Sequence, residues 1–278
     1  GNLGTSVAQF LVPAVVASAC LGPWAGGAQR FSKDGIAKDI WLQNGAYVWL
    51  VPVVVTCVLI ALGMKNHPAR GNFGEQFQVL KKKHAWVTTV LYTMTFGTFS
   101  GMAGAFPTLI REVFGKVADA PDPLTFAFIG PLVGALARPL GGVLSDKFTG
   151  GRVTAVVAAT LVAATLGILP FTAPTSRADF APFLVLMLVI FAAAGFGNAS
   201  VFKQIAMIFP PKEAAPVLGF SAAVAVLAFG FFVPILLGRA IAATGSPNAA
   251  FIGFAAFYAV CLGLNWFHYA RRGAETPC

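Results

Sequence analysis

Charge is what this sequence has least of. Only 10% of its 278 residues are Asp, Glu, Lys or Arg, while 57% are hydrophobic and the mean hydropathy is +0.78. A soluble domain carries roughly 25% charged residues, so this chain cannot cover itself with a water-compatible surface. Cysteine and histidine are scarce too, at four and three. Cys20, Cys57, Cys261 and Cys278 are scattered, with no C-x-x-C or Cys/His grouping; that excludes a zinc knuckle or a dithiol redox pair, and three of the four lie in apolar stretches as small hydrophobes. The net charge of +9 would suit nucleic acid, yet the basic residues sit in short loops between apolar blocks and form no basic face, so no nucleic-acid partner is expected. No basic n-region precedes the first apolar run and no methionine opens the chain, which reads as an internal start and hence a fragment.

What is present is apolar sequence in bilayer-length blocks. Eight segments can be drawn, at 1–20, 45–63, 84–110, 124–145, 152–172, 181–208, 214–240 and 249–270. Each is long enough for a hydrocarbon core about 30 Å thick. Helix is the form that satisfies the backbone there, since the blocks are too long and uniform for barrel strands of about 10 residues. The expectation is an all-α polytopic membrane protein.

Lys and Arg are retained on the cytoplasmic side during insertion. One set of alternating ends carries ten of them, from Lys65 to Arg272, and nets +6; the other carries seven and nets +1, because six of the ten acids lie there. The first side is therefore expected to be cytoplasmic, with the C-terminus on it. The loop after the second span holds Lys81, Lys82 and Lys83 and divides the chain into 1–64, a connector at 65–83, and 84–278. Phe10-Leu11-Val12-Pro13 and Phe231-Phe232-Val233-Pro234 share F-x-V-P, a weak echo of a parallel repeat.

Two cations fall inside the spans, and such residues are functional candidates because burying an ion in hydrocarbon costs several kcal/mol (about 3 on the lenient scale). Arg138 lies deep in the fourth, two helical turns from Asp146, whereas the flexible stem of Lys203 can carry its ammonium toward the interface. No span contains Asp or Glu, so the counter-ion of Arg138 lies elsewhere. A guanidinium fork suits a small planar oxyanion; backbone carbonyls or a carboxylate on further helices would also serve. With His67, His84 and His268 at span ends or in loops, no buried proton relay stands out, which favours anion exchange over proton coupling. Tyr92 and Phe96 are four apart and share a helical face, as pocket or as packing. Gly97, Gly101, Gly104, Gly130, Gly134, Gly195 and Gly197 sit near helical spacing and permit close helix approach. No catalytic cluster, cofactor motif or metal spacing lies in the spans, so no enzyme activity is expected.

After the fourth span, Gly142, Leu144, Asp146, Lys147, Gly150 and Arg152 resemble the major-facilitator loop pattern G-x-L-x-D-[RK]-x-G-x-[RK], with one extra residue before the arginine. Around it, Gly1-Asn2-Leu3-Gly4-Thr5-Ser6-Val7, Leu91-Tyr92-Thr93-Met94-Thr95-Phe96-Gly97, Ala137-Arg138-Pro139-Leu140-Gly141-Gly142 and Gly197-Asn198-Ala199-Ser200-Val201-Phe202-Lys203 are similar to the nitrate/nitrite porters of the NarK type. The resemblance implies a twelve-helix fold of two bundles, of which this chain would hold the fifth to twelfth helices, in a bacterial inner membrane. It implies nitrate and nitrite as substrates, moved by alternating access, with Arg138, Tyr92, Phe96 and Asn2 as substrate-binding residues. Gly142, Asp146, Lys147 and Arg152 would form the gating loop motif. The family's second arginine belongs to a helix that this chain does not contain, so the implied partners are lipid and the missing N-terminal helices. A fragment without transport of its own, or a facilitator for another solute, are the competing readings.

Overall fold

The computed structural model describes residues 3–20, 26–33, 36–65 and 78–278. These fall into two compact units, one of residues 6–71 and one of residues 1–5 with 72–278.

The smaller unit is built on apolar helix. Helix α1 (Leu3–Val16) ends where Trp41 N–H donates to the Val16 carbonyl at 2.8 Å and the buried Asn44 amide donates to the carbonyls of Val15 and Ser18. Those bonds satisfy carbonyls that a helix end leaves without an intrahelical donor. An antiparallel hairpin follows, β1 (Gln29–Lys33) with β2 (Ile36–Ile40), where no strand was expected. The short α2 (Asn44–Tyr47) leads into α3 (Leu50–Gly63), whose side chains are exposed throughout, as hydrocarbon rather than water would require.

The larger unit is a helical bundle. Helix α4 (Lys83–Tyr92) continues through a π turn, Thr93–Gly97, into α5 (Thr98–Phe114). Then come α6 (Pro123–Ala127), α7 (Ile129–Phe148), α8 (Gly150–Gly167) and the long α9 (Phe180–Ile208). Helix α10 (Pro211–Ala225) passes through a second π turn, Val226–Phe231, into α11 (Phe232–Thr244), and α12 (Asn248–Asn265) ends in a third, Trp266–Ala270. Helix α9 is the hub, packing along both α7 and α8, which touch each other far less.

Small residues set these crossings. A Cβ on Gly195 would lie 2.1 Å from the Gly134 carbonyl oxygen, so α7 and α9 meet backbone to backbone. A Cβ on Gly101 would come within 2.5 Å of the Phe229 carbonyl, which presses α5 against the second π turn. Of the seven glycines expected to pack, Gly104 alone faces open space.

Six of the eight drawn segments form helices long and apolar enough to cross a membrane: Asn44–Gly63, Pro123–Phe148, Gly150–Phe171, Arg177–Ile208, Pro211–Thr244 and Asn248–Ala270. The chain is an integral, multi-pass helical membrane protein. The other two segments differ for separate reasons. Helix α1 has 14 residues, short of the roughly 20 a perpendicular span needs. The α4–α5 run is long enough, but its threonines and glycines dilute its hydropathy. Thr88, Thr89, Thr93, Thr95 and Thr98 are buried, and Thr89 and Thr98 bond across helices to Ser221 and Tyr258.

Candidate functional site

Arg138 stands on the face of α7 beside the Gly130–Gly134 stripe that lets α7 lie against α9. That close approach brings Phe202 of α9 under the guanidinium, whose Cζ sits 5.3 Å from the ring centroid. Phe202 in turn meets Tyr92 edge-on at 6.0 Å, and Tyr92 meets Phe96 at 5.3 Å. Tyr92 is 3% exposed and Phe96 lies on the π turn that follows it. Such a turn shifts the helix register by one residue, a device frequent at functional sites. One cation and three aromatic rings from three segments thus form a continuous chain.

A cavity of about 590 Å³ opens beside Arg138, lined also by Ala135, Pro139, Ala199 and Phe202. Pro139 has no N–H to give to the Ala135 carbonyl one turn earlier, so that carbonyl, in the same cavity wall, lacks its helical donor. Among the described residues Arg138 makes no ion pair and no hydrogen bond. A half-buried guanidinium therefore faces the cavity with its N–H donors uncommitted.

The loop-motif residues divide. Asp146 takes the Lys203 ammonium at 2.5 Å, so the span lysine does reach toward the helix end. Lys147 lies over the Phe148 ring at 5.2 Å, and Arg152 is exposed at the start of α8. Gly142 has nothing within 4 Å of where a Cβ would stand; the tight position is its neighbour Gly141, 2.6 Å from the Phe196 carbonyl oxygen. Asn2 lies outside the described residues.

Asn198, Ala199 and Phe202 stand in the segment similar to the porters, but sequence reasoning gave them no site role. Phe202 completes the ring chain and Ala199 lines the cavity, while Asn198 is fully buried with neither side-chain atom bonded to protein. The signal was present in their spacing: Asn198 and Phe202 are four apart on one helix face, one residue before an intramembrane lysine.

No family model matches the chain. It is 47% identical over its whole length to the "Probable nitrate/nitrite antiporter NarK2" of Thermus thermophilus, covering 63% of that protein. It is 36% and 34% identical to the nitrate/nitrite transporters NarU of Salmonella typhimurium and Escherichia coli, over 98% of this chain and 62% of each relative. Over its whole length the chain is similar to the NarK-type nitrate/nitrite porters. It spans a little over three-fifths of the length of these porters. The fold agrees with the superfamily: the chain superposes on a Major Facilitator Superfamily transporter, FucP, in the outward conformation, with TM-score 0.58 and 18% identity, over 81% of this chain and 54% of that one. A bacterial homologue of the lysosomal transporter Spinster, inward-facing and unoccupied, matches at TM-score 0.53 and 15% identity, over 95% and 64%. Within this helical bundle, Arg138 occupies a helix wall that opens on a cavity, and Phe202 backs it from the neighbouring helix.

Proposed function

We propose that this porter chain moves nitrate and nitrite across a bacterial inner membrane by alternating access, exchanging one anion for the other, with its C-terminus in the cytoplasm. The observation that carries this reading is Arg138: a half-buried guanidinium on a cavity wall, backed by an aromatic face and paired with no described carboxylate. Such a group lacks negative charge, and the ligand that supplies it best is a small planar oxyanion accepting two parallel N–H bonds. Nitrate and nitrite fit that geometry, and they are the solutes in the names of the relatives. Phe202 supplies a flat apolar wall that strengthens the charge-assisted bonds, and Tyr92 and Phe96 stand behind it in the ring chain, outside the cavity lining.

Exchange follows from the same electrostatics. A bound anion neutralises Arg138, and only the neutralised site can close in a low-dielectric bundle without burying net charge. An empty site transits slowly, so return depends on a second anion. Residues 1–64 and 84–278 would belong to two bundles that rock about the site, joined by the connector at 65–83. Asn2 would contribute to the same site, and the 142–152 turn would act at the gate.

The test is entry of isotopically labelled nitrate into nitrite-loaded proteoliposomes containing the complete reading frame that encodes this chain. Arg138→Lys keeps the charge but loses the fork, and exchange should fall about tenfold or more. Exchange at the wild-type rate in that variant would overturn the reading. A parallel arm with the 278-residue chain alone separates a carrier from a piece that needs further helices.

A further inference from the structure

Helices α7 and α8 are each pinned to α9 and barely to one another. On one side, a Cβ on Gly141 would meet the Phe196 carbonyl oxygen at 2.6 Å. On the other, buried Thr154 and Ser200 hydroxyls pair at 2.7 Å, and the Gln204 amide donates to Thr154 at 3.0 Å. Two helices that each pack on a third and touch one another far less leave a cleft between them. This one measures about 590 Å³, and its walls are hydrocarbon, among them Leu144 and Phe148 of α7, Val156 of α8, and Val189 and Phe196 of α9. Val156 is 67% exposed, so the cleft is open to the surroundings of the bundle.

One end of the cleft is cationic. Arg152 lines it and, among the described residues, makes no ion pair and no hydrogen bond. Lys147 sits over the ring of Phe148, itself part of the wall. The nearest acid in sequence, Asp146, is committed to Lys203 at 2.5 Å, and Glu275 of the C-terminal segment to Lys83 and His268, both at 2.9 Å. Arg152 therefore stands at one end of an apolar slot, and Lys147, with no ion pair among the described residues, lies over the wall residue Phe148.

We propose that this cleft is a binding site for an anionic glycerophospholipid, with one acyl chain in the slot and the phosphate between Arg152 and Lys147. The length of apolar wall favours a lipid over a free phosphate, which would gain nothing from it. The paired cations favour an anionic headgroup over a zwitterionic one, since each basic residue near a membrane surface contributes attraction for anionic lipid. The inference is independent of what the porter carries: it uses the turn between α7 and α8, not the Arg138 cavity.

Native mass spectrometry of the purified 278-residue chain, titrated with equal amounts of phosphatidylglycerol and phosphatidylcholine, tests it. Wild type should hold phosphatidylglycerol in preference. Arg152→Gln should weaken that preference by about fivefold, the double variant with Lys147→Gln should abolish it, and Arg152→Lys should keep most of it. Val156→Trp, which plugs the slot at an exposed position, should lower occupancy by both lipids with the charges intact. Equal binding of the two lipids by wild type, an unchanged preference in the double variant, or displacement of the lipid by inorganic phosphate would each overturn the proposal. Should Arg152→Gln fail to fold, Lys147→Gln alone should still weaken the preference by about fivefold, and an unchanged preference there together with unchanged occupancy in Val156→Trp would overturn the proposal.

Discussion

Thr149 carries φ 76° and ψ 148° in the turn between α7 and α8, a backbone region that a β-branched residue enters only under strain. The strain is local, and glycine tolerates the region without a Cβ clash. Thr149→Gly should therefore raise stability by about 1 kcal/mol, seen as a higher melting temperature in detergent, whereas Thr149→Ala should not. A loss on glycine substitution would mean that the threonine side chain holds the turn. The same scale shows why the site was half legible. Arg138 stood out because an ion deep in an apolar run needs a counter-charge that its own span does not hold, and Tyr92 and Phe96 because they share one helix face. Phe202 did not, being one of 26 phenylalanines whose value depends on how α9 is rotated against α7. Rotation is fixed by the glycine contacts between two helices, which no single segment reveals.

At the level of elements, all eight hydropathy blocks fall on helix, and six of them meet the length and hydropathy of a membrane span. The α4–α5 run is polar for a span because it is an interior helix that bonds to its neighbours through hydroxyls, not a lipid-facing one. The hairpin of β1 and β2 left no comparable mark, as five-residue strands in a short loop carry too little periodicity to read. Helix crossings give the sharper test. At Gly195 an added methyl meets the Gly134 backbone, which cannot move aside as a side-chain tip could, while at Gly104 it meets nothing within 4 Å. Gly195→Ala should cost about 1–3 kcal/mol or prevent folding. Gly104→Ala should be neutral or stabilise by up to about 1 kcal/mol through helix propensity. Thermal unfolding of the two variants side by side checks the contrast, and equal effects would remove the close crossing from the fold.

Across the larger unit, the ion pairs gather at one end. Lys82 reaches Glu213, Lys83 and His268 reach Glu275, and Lys203 reaches Asp146, which ties the start of α4 to α10 and to the C-terminal segment, and α9 to the end of α7. Each pair is partly exposed and individually weak, so the end holds through their number and through the chain segment they anchor. That segment folds back: Gly151 N–H donates to the Cys278 main-chain oxygen at 2.8 Å, and Thr276 N–H to the His268 carbonyl. Cys278 is left 6% exposed, its thiol pushed up to about 11 by burial. Glu275 is the pivot. The hydrogen bond from Lys83, then that from His268, holds its carboxyl below the usual glutamate value. A carboxylate depressed in the folded state contributes above its unfolded pKa, and its contribution disappears as pH falls through the folded one. Near neutral pH, then, Glu275→Gln should release the segment and speed labelling of Cys278 by a methanethiosulfonate reagent, followed by mass spectrometry of the C-terminal peptide. The ratio of variant to wild-type rates should shrink toward one as pH drops below the carboxylate range, because protonation makes wild type resemble the glutamine variant. A ratio of one at neutral pH would show that the segment is held by its backbone bonds and not by the charge cluster.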